Sequence, residues 1–132
     1  MREIEFRGKR IDNGEWMYGF VVRCRDKEEI YGIKESDEHG YWHVQTESIG
    51  QYTGLKDRNG IKIFEGDIVR LYSKYHNDSP VKGYAYIMFS YGYVGGWVIT
   101  SDGTDSLSLG LHTDIVEVIG NIHDDPELAK VT

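Results

Sequence analysis

Glu65 and Asp67 flank Gly66, a spacing that can set two carboxylates side by side in a cleft, as a general acid and a general base require. The same pair reads as two acids at a chain bend, and the sequence points to no pocket around them. The bend is the preferred reading. Five histidines, His39, His43, His76, His112 and His123, are the remaining candidates for metal or proton chemistry. His39 and His43 are four apart, which pairs ligands only on a helix, and Gly40 with the alternating pattern after it opposes one. "HDD" at 123–125 offers hard oxygens to a cation, yet capping a terminal helix uses both acids more economically. Cys24, the single cysteine, continues an apolar strand face and is expected to be an inert thiol. There is no G-x-S-x-G elbow, and "GGW" and "GLKDRNG" lack the Walker spacing and the strand-to-helix context that aim amides at phosphate. The expectation is a protein with no catalytic residues, no metal site and no cofactor.

Aromatic side chains are the other chemistry on offer. Tyr84, Tyr86, Tyr91, Tyr93 and Trp97 could form a platform on which single-stranded bases stack, as small barrels often provide. Lys82 is the only cation between 75 and 100, so a core plus a protein contact surface is the more economical use of these rings. Net charge is −7, which opposes general attraction to a phosphate backbone. The charge is uneven. Residues 1–27 hold seven Lys or Arg against five acids, whereas residues 101–132 hold one Lys against seven acids, which reads as a solvated surface or as two ends of opposite sign that meet head to tail.

The elements that must position these groups are strands. Sixteen glycines, two prolines and ten tyrosines in 132 residues, without helical periodicity, point to β structure in one domain. Trp16, Tyr18, Phe20, Val22 and Cys24 recur at period two, so a strand puts all five on one face, and burial of such faces would line the inside of a closed sheet with rings. Ile4 and Phe6 alternate before it, and "DNG" at 12–14 supplies the turn of a hairpin. "EIYGIK" and "YWHVQTE" are further strands. "SKYHNDSPV" is the most loop-like segment. "KGYAYIMFSY", "GYVGGWVIT" and "DIVEVIGNI" complete the strand set, and "HDDPELAK" makes one short helix. Between the two halves, "GQYTGLKDRNGIKIFEGDIV" combines Gly50, Gln51, Tyr52, Thr53 and Gly54 with a turn from Asp57 to Gly60 and a bend at Glu65, Gly66 and Asp67. Asp57 can accept from amides within its turn, and Gly66 permits a conformation that a Cβ would penalise. Such a bend feeding a buried strand opens many SH3-like barrels.

Three separated blocks, "REIEFRGKRIDNGEWMYGF", "IGQYTGLKDRNGIKIFEGDIVR" and "IGNIHDDPEL", resemble the YopX family, small proteins of bacteriophages and prophages of Gram-positive bacteria. The resemblance runs nearly end to end. Phe64 stands where Tyr is more usual and Asp125 where Asn is more usual, both conservative departures. It implies an all-β, SH3-like small barrel or roll with additional N-terminal strands and one short C-terminal helix; the chain is expected to be a single domain over 1–132, built either as one barrel or as two sub-lobes, 1–54 and 55–132. The family supplies no catalytic residues to carry over. The expected function is an accessory protein acting by protein contact or self-assembly, with single-stranded nucleic-acid binding as the alternative and an acidic DNA mimic or host-takeover factor behind it. One cysteine, no signal-like apolar region in "MREIEFRGKR" and no bilayer-length apolar run place it in the bacterial cytoplasm, away from membranes.

Overall fold

Period-two alternation and "DNG" make the first element a hairpin. In the computed structural model, strands β1 (Phe6–Lys9) and β2 (Trp16–Arg23) pair antiparallel with Lys9 opposite Trp16 and Phe6 opposite Gly19. The turn between them is held by Arg10 N donating to Glu15 O at 2.9 Å, Gly14 N to Arg10 O at 3.0 Å and Glu15 N to Asn13 Oδ1 at 2.9 Å. Gly14 has φ of 74°, a value glycine reaches without strain. The structure describes residues 4–23, 31–34, 40–73, 75, 78–81, 83–90, 96–101 and 106–129. The expectations placed on Cys24, His39, His76, Lys82, Tyr91 and Tyr93 lie outside the described residues.

The chain forms two units, Met1–Tyr52 and Thr53–Thr132. In the first, β3 (Tyr31–Lys34), β4 (Trp42–Val44) and the start of β5 (Gly50–Lys56) extend the hairpin into an antiparallel sheet ordered β4-β3-β2-β1-β5. Its buried face is built on Ile33 and Val44, both fully buried, with Gly8 beneath them. A Cβ on Gly8 would press on Val44 and Ile33 at 3.0–3.3 Å, so glycine lets these two side chains close over the strand. The expectation that the rings of β2 line the inside is corrected here. Tyr18 is 43% and Phe20 56% exposed, because Gly8 and Val21 stand on the same face as Ile33 and Val44, and the rings stand on the other.

In the second unit the far half of β5 pairs with β6 (Lys62–Phe64), and β7 (Asp67–Ser73), β9 (Ala85–Ser90), β10 (Gly96–Thr100), β11 (Ser106–Ser108) and β12 (Val116–Asn121) form an antiparallel half-barrel ordered β11-β10-β9-β7-β12. Ile63, Val69, Ala85, Ile87, Ile99, Leu109 and Val116 make its core, with Leu55, Leu71, Trp97, Ile115 and Val118 packed around them. Ser79–Pro80, expected as loop, makes a short strand β8 beside the end of β7. The C-terminal helix is one turn, α1 (Pro126–Ala129). The fold is all-β, as the composition and the alternation required.

Candidate interaction surfaces

The central block proves to be a set of turn anchors. Asp57, 7% exposed, accepts from Asn59 N (2.8 Å) and Ile61 N (2.9 Å) through Oδ1 and from Val118 N (2.9 Å) through Oδ2. The carboxylate thus closes its own turn and ties it to the outer edge of β12, where Arg58 N also donates to Val116 O at 2.9 Å. An exposed strand edge is a pairing hazard, and this turn covers it. Gly60, with φ of 81°, completes the reversal.

Asp67 is 2% exposed, and its Oδ2 accepts from Phe64 N at 2.7 Å across the Glu65–Gly66 turn. Gly66 (φ 88°) donates to Ile87 O at 2.8 Å and accepts from Ile122 N at 2.9 Å. Glu65 is half-buried and Asp67 buried, so the two acids flanking Gly66 differ in environment, and Asp67 is committed to the backbone. Thr53 Oγ1 donates to Ile63 O at 2.8 Å and accepts from Leu55 N at 3.2 Å, fixing β5 against β6. Gly50 and Gln51 pair with Arg7 and Phe6, Tyr52 N donates to Glu5 O at 2.7 Å, and Gly54 sits at φ of 84°. Asn121 Oδ1 accepts from His123 N and Asp124 N, so the "HDD" segment is organised by an Asx turn, and Asp125 turns its carboxylate back toward Asn121 N at 3.4 Å. Among the described residues no group of three or more His, Cys, Asp or Glu gathers as a metal would need.

Among the described rings of that set, the register puts Tyr86 and Trp97 on opposite sides of the sheet. Trp97 lies opposite Phe89 and meets it edge to face at 5.1 Å, on the side of Ile87 and Ile99, packed against the core. Tyr86 lies opposite Thr100 and Ile68, on the other side of the sheet. Tyr84 follows Tyr86 in parity and joins a polar cluster that sequence reasoning missed. Arg70 Nη1 lies 3.7 Å from Glu117 Oε1, with its guanidinium 5.9 Å from the Tyr84 ring centre, Arg58 lies 3.9 Å over the Tyr72 ring and pairs with Asp78, and Tyr72 OH donates to Glu117 Oε1 at 2.9 Å. The hydrogen bond to Asp78 raises the pKa of Arg58 further, and the neighbouring Tyr84 and Tyr72 raise that of Arg70. The alternation Arg70–Tyr72 in β7 was the available signal, and it needed the cross-strand partner Glu117 to acquire meaning.

Among the described residues, exposed aromatic and apolar side chains gather on surfaces in each unit. In the second unit a cleft of about 550 Å³ is bordered by Leu71, Val81, Leu107, Leu111 and Ile115, with His112 and Asp114 at its polar side. Leu111 is 80% and the adjoining Tyr75 95% exposed. In the first unit, the outward face of β1–β3 carries the rings displaced from the expected interior.

The sequence model of the YopX protein family matches residues 5–130. The chain belongs to the YopX family. The turn anchors just described fall within the blocks that carried the resemblance. Among solved structures this YopX-family chain is similar to protein EF1440 from Enterococcus faecalis, whose crystal structure shares 25% sequence identity at a TM-score of 0.57, covering 98% of this chain and 100% of that one. No curated protein matches it. Among the described residues no helix is long and apolar enough to cross a membrane.

Proposed function

We propose that this YopX-family chain is a non-catalytic accessory module of phage type that works in the cytoplasm of the bacterial host by protein contact, pairing with a second copy of itself through the cleft of its second unit. The exposure of Leu111 beside that cleft carries the reading. Monomeric proteins rarely present contiguous large apolar side chains to water, and here Tyr75, Val81, Leu107 and Leu111 all do so around one concavity. A two-fold contact needs knob and hole on the same patch, and protruding Leu111 and Tyr75 next to the cleft meet that condition. The edge strand β11, which contains Leu107, lies alongside. The commitment of Asp57 and Asp67 to backbone amides supports the non-catalytic part, since neither carboxylate has to find work elsewhere.

Size-exclusion chromatography with light scattering is expected to give twice the 15.2 kDa chain mass at high micromolar concentration, and Leu111→Asp is expected to return the monomer. A monomeric parent protein at that concentration overturns self-association. Leu111 is exposed enough that its replacement leaves the fold intact, which a circular dichroism melt checks.

A further inference from the structure

We propose that the outward face of β1–β3 in the first unit binds single-stranded nucleic acid, with unpaired bases stacked on the rings of β2. Directly opposed residues of an antiparallel pair share a face. The register sets Lys9 opposite Trp16, Arg7 opposite Tyr18 and Lys34 opposite Phe20. Each ring of β2 therefore has a cation across from it, a regular aromatic–basic alternation that the yardstick of net charge hides. This is the composition single-strand binders use: ring faces for bases and cations for the backbone.

Geometry narrows the ligand. Alternate residues of a strand stand about 6.7 Å apart, roughly twice the 3.4 Å rise per nucleotide in a duplex strand. Trp16, Tyr18 and Phe20 thus match a strand pulled out of its helical stack, one base per ring, and a duplex would hide the base faces they need. Tyr18 and Phe20 are 43% and 56% exposed, although burial would have been favourable for both. Arg7, 6% exposed, lies 4.7 Å from the Trp16 ring centre and Lys9 lies 5.8 Å from it, so these cations brace the indole while Lys9 and Lys34 remain half-exposed for phosphate. Glu5, two residues before Arg7, bounds the cationic strip. The contact is sequence-tolerant, because every base has a π face and these side chains aim no hydrogen-bond pair at base edges.

The test is fluorescence anisotropy of the full chain with oligo(dT) of about twelve nucleotides at low salt. Saturable binding is expected, with a log–log salt slope of about −1.4 from two phosphate contacts at roughly 0.7 each. Phe20→Ala and Tyr18→Ala should each weaken it at least about 5-fold, and Lys34→Gln should cut the slope by about half. A matching RNA strand should bind comparably and the duplex more weakly. Both rings are surface residues, so unchanged melting curves certify the variants. Absence of oligo(dT) binding at low salt overturns the proposal, as does binding indifferent to Phe20→Ala. A dimer lost on Phe20→Ala without DNA binding assigns the face to a second copy and also overturns it. Leu111→Asp leaves this binding unchanged, which separates the outcome from that of the cleft.

Discussion

Asp57 shows how one side chain can account for a motif. Its three backbone donors have no alternative acceptor of the same charge, and burial removes water as a substitute. Asp57→Ala is therefore expected to cost roughly 3 kcal/mol or more in urea unfolding, and Asp57→Asn less, since an amide oxygen can still accept. Surface acids behave differently. Asp12 accepts two hydrogen bonds from Arg10, from Nε at 2.8 Å and Nη2 at 2.6 Å, and the side-chain hydrogen bond holds its carboxyl below the ordinary 3.8. A depressed folded-state value means stabilisation present above pH 3.8 and lost as pH falls through the folded value. An NMR titration should find Asp12 below 3.8, and Arg10→Gln should return it there. The pair is solvent-exposed, so the melting temperature near neutrality should not follow it.

At the scale of elements, glycines decide where segments approach. A Cβ on Gly120, within the irregular part of β12, would collide with the Asp125 carboxylate. Gly120→Ala is expected to destabilise by about 1 kcal/mol, and the penalty should shrink in an Asp125→Ala background, a coupling that a double-mutant cycle measures. Gly66→Ala is expected to cost about 1–2 kcal/mol, because its φ of 88° is left-handed. Strands, hairpin and terminal turn were legible in the sequence because alternation and "DNG" chemistry are local. What alternation does not tell is which face turns inward. Trp16, Tyr18 and Phe20 do share a face, but Ile33, Val44 and the space over Gly8 outcompete it for burial. Tyr86 and Trp97 part for a related reason: parity within β9 and within β10 is local, whereas the register between them fixes which rings meet, and it sets Trp97 against Phe89.

For the whole molecule, the two units differ in what they bury. The second holds seven fully packed aliphatic and alanine side chains in one cluster, while the first relies on Ile33 and Val44 with Tyr52. Amide hydrogen exchange should accordingly be slowest in β7, β9 and β10, and faster throughout β1–β4. The candidate surfaces were the least legible part, because each is a product of tertiary placement. The 3₁₀ turn after β11 buries Leu109 and leaves Leu111 outside, and the −7 net charge conceals the grouping of Arg7, Lys9 and Lys34. Whole-chain averages describe solubility. They do not describe a face.

The two oxygens of Asp57 also act at very different separations along the chain, two and four residues for one and sixty-one for the other. The near contacts can form while the polypeptide is still largely unstructured, and the distant one only when the last strand arrives. The residue thus presents a prepared docking point for the closing step of folding, so its loss should lengthen the refolding time as well as hasten unfolding.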